Sequence, residues 1–129
     1  MVLKIKGENL RRILFTLFAA TFLLSAYPIS LKDYQREISK PGYTVVEYWA
    51  PWCGSCKAFK PEYIRAKRAL GRRVRFLEVN VERVDDVEST FGLKYGLPTL
   101  VLFKNGVEVS RLPGGGFADE VVAWVKSNI

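Results

Sequence analysis

Two cysteines stand three residues apart in Trp52-Cys53-Gly54-Ser55-Cys56, and they are the chain's only two. Two intervening residues bring a pair of thiols within disulfide reach. If a helix begins at this point, its unpaired N–H groups and partial positive charge stabilise a thiolate on Cys53. Such a thiol has a pKa of about 7 in this kind of motif, against ~8.5 when free, and is a competent nucleophile near neutral pH. An exposed Cys53 is expected to attack, and Cys56, one turn inward, to resolve the mixed disulfide. The spacing alone leaves two other readings open, a structural staple or half of a metal site.

Histidine is absent. That removes Ser-His-Asp and Cys-His catalysis and any histidine-bound metal. Two cysteines cannot complete a tetrahedral zinc site without carboxylates or a second chain, though two thiolates can hold a soft ion such as Cu(I).

The elements around the pair are readable. Tyr43 to Ala50 is a dense β-branched and aromatic run, expected to be a buried strand leading into the cysteines. Lys57 to Leu70 has helical spacing, with Pro61 inside it as an expected kink. Before the strand, Ser30-Leu31-Lys32-Asp33 places a capping serine ahead of Leu31, Tyr34 and Ile38, until Pro41-Gly42 ends the helix. After it, Val74 to Val81 alternates as a second strand, and Val84 to Phe91 is expected as a short helix. Thr99 to Phe103 and Val107 to Leu112 flank Asn105-Gly106, a strong hairpin signal. Gly114-Gly115-Gly116 is a loop, and Phe117 to Asn128 is an amphipathic closing helix. The order implies an α/β fold with a mixed central β-sheet flanked by helices on both faces.

Length allows one small domain, expected over residues 29–129. The first 28 residues read as an address. Lys4, Lys6, Arg11 and Arg12 precede an uncharged run from Ile13 to Leu31, the pattern of a signal peptide or signal-anchor helix. The run falls between the lengths of a signal core and a spanning helix, with a slight preference for a retained anchor. Either way the domain is expected on the extracytoplasmic side, periplasmic or at the cell surface, where disulfides form. Of the formal net charge of +7, residues 1–32 carry five basic and one acidic residue, so the domain is only mildly basic. Nucleic acid is therefore not an expected partner. The cluster Arg65, Lys67, Arg68, Arg72, Arg73 and Arg75 reads as a solvated face at a helix end.

The segment Val46-Glu47-Tyr48-Trp49-Ala50-Pro51-Trp52-Cys53-Gly54-Ser55-Cys56-Lys57 resembles the active-site segment of thioredoxins. Pro61 falls at that family's helix-kinking proline, and Gly96-Leu97-Pro98-Thr99 resembles its cis-proline loop. Phe103-Lys104-Asn105-Gly106 matches its hairpin and Gly114 the glycine of its substrate groove, so the likeness runs from about residue 29 to the end. The resemblance implies a thioredoxin fold and thiol–disulfide exchange with protein substrates by a monomer. It implies no cofactor beyond a redox-active Cys53–Cys56 disulfide, and no metal. A membrane or soluble thiol partner would supply or accept the electrons. Pro98 would be cis and present the backbone of Leu97 to substrate. Trp52, Gly54, Ser55 and Gly114 would complete the groove, and Trp49 is assigned to packing. Glu47 stands where the family has a buried, proton-carrying aspartate, and burial should raise its pKa.

Two departures bear on direction. Ser55 replaces a proline common between the family's cysteines, and its hydroxyl should favour the reduced dithiol. Glu78 stands where the family often has a lysine, and should push Glu47 further upward if the two approach. Apolar Leu97 before the proline, and the lack of histidine between the cysteines, favour a reductant or isomerase, for example in cytochrome maturation. The alternatives are a disulfide-forming oxidase and a non-enzymatic pair holding a soft metal.

Overall fold

The computed structural model describes residues 31–84, 87–94 and 96–129. The signal or anchor segment expected over residues 1–28, and the Ser30 cap, lie outside the described residues. No helix among those described is long and apolar enough to cross a membrane.

The chain runs α1 (Leu31–Ile38), β1 (Tyr43–Trp49), α2 (Gly54–Leu70), β2 (Val74–Asn80), α3 (Val87–Phe91), β3 (Thr99–Lys104), β4 (Val107–Pro113) and α4 (Ala118–Ser127). The four strands lie in the order β2-β1-β3-β4. β1 and β2 are parallel, joined by α2, whereas β1–β3 and β3–β4 are antiparallel. This is the expected mixed sheet.

Side-chain alternation along β1 and β3 divides the core in two. Val46, Tyr48, Val101 and Phe103 pack with Tyr34 and Ile38 of α1 and Phe91 of α3. Val45, Leu100 and Leu102 pack on the opposite face with Phe59, Tyr63, Ala66 and Leu70 of α2 and Val121 and Val125 of α4. Burying each such Val, Leu or Phe contributes about 1.5–3 kcal/mol, so the central strands are fixed from both sides. β1 thus holds still the loop that follows it, which carries the cysteines.

The Asn105-Gly106 turn forms as expected, with φ of 51° and 84° at its two residues, the positive pair that a two-residue hairpin requires. Asn105 also ties the turn to the segment between α1 and β1, its side chain accepting from the Gly42 amide at 2.8 Å. Two expectations shift. The strand expected to reach Val81 stops at Asn80, whose side chain accepts from the Glu82 amide at 3.0 Å and caps a 3₁₀ turn over Val81–Arg83. Val84, expected to open the next helix, instead closes this 3₁₀ turn, and the described helix runs Val87–Phe91.

Candidate functional site

Strand β1 ends at Trp49 and the chain turns through Ala50-Pro51-Trp52 before α2 starts at Gly54. Cys53 is therefore the N-cap of a 17-residue helix, with an extended backbone and a sulfur that accepts from the Cys56 amide at 3.1 Å. That amide is one of the donors a helix start leaves unpaired. The position favours negative charge on Cys53 through both this bond and the helix dipole. Cys53 and Cys56 are joined as a disulfide, with Cα atoms 5.2 Å apart.

The expectation of an exposed Cys53 is corrected. Cys53 is 6% exposed and Cys56 3%, so in the disulfide state both sulfurs are covered. The reason is local: capping turns the Cys53 side chain back over the first turn of α2, toward the Cys56 amide. Trp52 stands out beside them at 67% exposed, an apolar surface available to line a groove.

The second half of the site arrives from β3. The Leu97–Pro98 bond is cis, as expected. Ser55 connects this loop to the pair: its hydroxyl lies 3.3 Å from the Cys53 sulfur and donates to the Leu97 carbonyl at 3.2 Å. Gly114 closes the other side, its amide donating to the Pro98 carbonyl at 2.8 Å. Gly114 and Gly115 have φ of 82° and 71°. A Cβ on Gly115 would lie 2.6 Å from the Phe59 ring, so the loop after β4 sits directly on α2. Gly54, exposed, opens the helix beside these groups. The structure thus brings together Trp52, Cys53, Gly54, Ser55, Cys56, Leu97, Pro98 and Gly114 from three stretches of sequence.

Glu47 lies beneath. It is 1% exposed, and neither carboxylate oxygen has a hydrogen-bond partner among the described residues. Glu47, Trp49, Cys56, Lys57 and Lys60 line one cavity of about 150 Å³, so the carboxyl and the inner cysteine share a space. Burial raises the Glu47 pKa from 4.5 to about 7, against a smaller downward pull from Lys60. Trp49, read from sequence as mainly packing, is a wall of this cavity.

The expectation for Glu78 is revised. It is the register partner of Glu47 across the parallel β1–β2 pair, but its charge is taken by an ion pair with Lys60 of α2. Burial, not Glu78, is what raises Glu47. Lys60 went unnoticed in the sequence, where an i+4 lysine on a helix has no signal of its own.

Comparison with known proteins fits this geometry. Residues 25–127 match the thioredoxin family model. The chain is 35% identical over 99 residues to protein disulfide-isomerase of Oryctolagus cuniculus, covering 73% of this chain and 19% of that protein. It is 38% identical over 85 residues to the mitochondrial thioredoxin-2 of Schizosaccharomyces pombe, covering 66% of this chain and 62% of that one. It therefore spans about a fifth of the isomerase and under two thirds of this thioredoxin. A solved structure of Plasmodium falciparum thioredoxin superposes with a TM-score of 0.69 at 25% identity, covering 78% of this chain and 96% of that one.

Proposed function

The chain belongs to the thioredoxin family, and we propose on that premise that it is a thiol–disulfide oxidoreductase that reduces or isomerises disulfides in exported proteins. The observation that carries the reading is the Cys53–Cys56 disulfide at the start of α2, bridged by Ser55 to the cis Leu97–Pro98 loop.

In the reductive direction the reduced Cys53 thiolate attacks one sulfur of a substrate disulfide and expels the other as a thiolate. Cys56 then attacks the Cys53 sulfur of the mixed disulfide, releasing the second substrate thiol and forming the Cys53–Cys56 bond. Two electrons pass from the dithiol to the substrate. Cys56 must lose its proton in the second step, and Glu47 shares its cavity. A carboxyl with a pKa of about 7 is suited to take that proton near neutral pH. Trp52, Leu97, Pro98 and Gly114 would hold an extended substrate segment over the sulfurs.

Export is supported by the basic residues and uncharged run before Leu31. A reductant outside the cytoplasm needs a membrane or soluble thiol donor to restore the dithiol. Apocytochromes, whose paired thiols must stay reduced, are one substrate class this reading accommodates.

Ser55 favours a second reading. Its hydroxyl beside the Cys53 sulfur stabilises the reduced form and makes the disulfide a better oxidant. The reduction potential of the pair, measured on the whole chain in graded glutathione buffers, separates the two. A value near ~−270 mV supports the reductant, and one near ~−120 mV makes the protein a disulfide-forming oxidase.

A further inference from the structure

The buried carboxyl of Glu47 has a cation beside it, and that cation is engaged elsewhere. Lys60 lies one turn beyond Cys56 on α2 and lines the same cavity as Glu47 and Cys56. Its ammonium is not bonded to Glu47. It forms an ion pair with Glu78 and lies 5.5 Å from the centre of the Tyr63 ring. Glu78 is in turn the residue aligned with Glu47 on the neighbouring strand. Two carboxylates thus flank one lysine, and the outer one holds it.

We propose that Lys60 is a positioning residue for the buried carboxyl of Glu47, and that Glu78 sets its reach by claiming the Lys60 ammonium. The inference rests on the reading of Glu47 as the proton carrier for Cys56.

Among the described residues, the groups facing Glu47 are few. Helix α2 presents Cys56, Lys57, Lys60 and Tyr63; β2 presents Glu78; β3 presents Leu100, the apolar register partner. Tyr63 is not free to bond the carboxyl, because its hydroxyl donates to the Leu77 carbonyl at 2.8 Å. Lys60 is the charge that opposes the upward push of burial on Glu47. A full ion pair between Lys60 and Glu47 would hold the carboxyl ionised well below neutrality, where it could not keep a proton to return. With no cation at all, burial alone would keep it protonated above neutrality, where it could not accept one. Holding Lys60 at Glu78 leaves Glu47 between these limits.

Two substitutions then act in opposite directions. Lys60→Met removes the opposing cation, so the carboxyl titrates at higher pH. Glu78→Gln frees the ammonium to close on Glu47, so the carboxyl titrates at lower pH. The second effect requires Lys60, so Glu78→Gln placed on Lys60→Met should add little.

The test follows the Glu47 side-chain carboxyl carbon by NMR between pH 5 and 9 in the full-length, dithiothreitol-reduced protein, assigned with Glu47→Gln. The expected midpoint moves up by about one pH unit in Lys60→Met and down by about half a unit or more in Glu78→Gln. An unmoved midpoint in Lys60→Met overturns the proposal, as does a Glu78→Gln shift that persists in the double variant. The pH profile of disulfide reduction is recorded on the same proteins. If the carboxyl moves as stated while the acid limb of the rate stays fixed, the assignment of Lys60 stands and the proton-carrier reading of Glu47 fails.

Discussion

The Ser55 hydroxyl donates to the carbonyl of Leu97 at 3.2 Å while lying 3.3 Å from the sulfur of Cys53. One side chain therefore spans both halves of the site, the start of α2 and the cis-proline loop. On reduction the hydroxyl can turn to the Cys53 thiolate, a charge-assisted bond stronger than the one to a neutral carbonyl. Ser55→Ala removes that stabilisation of the reduced form. The reduction potential should fall by about 20 mV, corresponding to about 1 kcal/mol. Thiol trapping after equilibration in glutathione buffers reads the shift; an unchanged or higher potential would mean the hydroxyl does not stabilise the thiolate.

Glu47 links the site to stability. Burial lifts its pKa from 4.5 to about 7, so between those values the folded chain holds a proton that the unfolded chain has released. Stability is therefore greatest at the acid end of this window and falls as pH rises through it, by about 2–3 kcal/mol in all. Glu47→Gln removes the titrating group. Urea unfolding of the oxidised protein at pH 5 and pH 8 should show that difference in the parent chain and its loss in the variant, whatever the variant's absolute stability.

Gly115 is required twice over. Its φ of 71° is strained for any residue with a Cβ, and that Cβ would meet the Phe59 ring at 2.6 Å. Gly115→Ala should cost about 1–3 kcal/mol, through backbone strain and displacement of Phe59. Urea unfolding at one pH measures it. Because Gly115 follows the groove glycine Gly114, affinity for a disulfide peptide should fall as well.

Much of this was legible in the sequence where the signal is local. The β-branched run of β1 and the Asn105-Gly106 turn specify themselves. So does a cysteine pair where a strand gives way to a helix, and the segment around Pro98 was recognisable by resemblance. What escaped was tertiary. The ion pair joining Lys60 to Glu78 links α2 to β2 and has no sequence spacing to announce it. The covering of Cys53 follows from its capping geometry, which residue type does not disclose. At Asn80, a side-chain bond to the Glu82 amide ended a strand that hydrophobic alternation would have carried on to Val81.

In the proposed reaction Cys53 attacks and Cys56 resolves. Cys53 caps the helix and accepts from the Cys56 amide, while Cys56 faces the cavity that holds Glu47. The most direct test incubates the full-length Cys56→Ser and Cys53→Ser variants, each reduced and freed of reductant, with a disulfide-bonded peptide, followed by acid quenching and intact mass measurement. A stable mixed disulfide is expected on Cys53 in Cys56→Ser, with at least about tenfold slower adduct formation in Cys53→Ser, where the helix-start stabilisation is gone. Equal adduct formation by the two variants, or none by either, would contradict it.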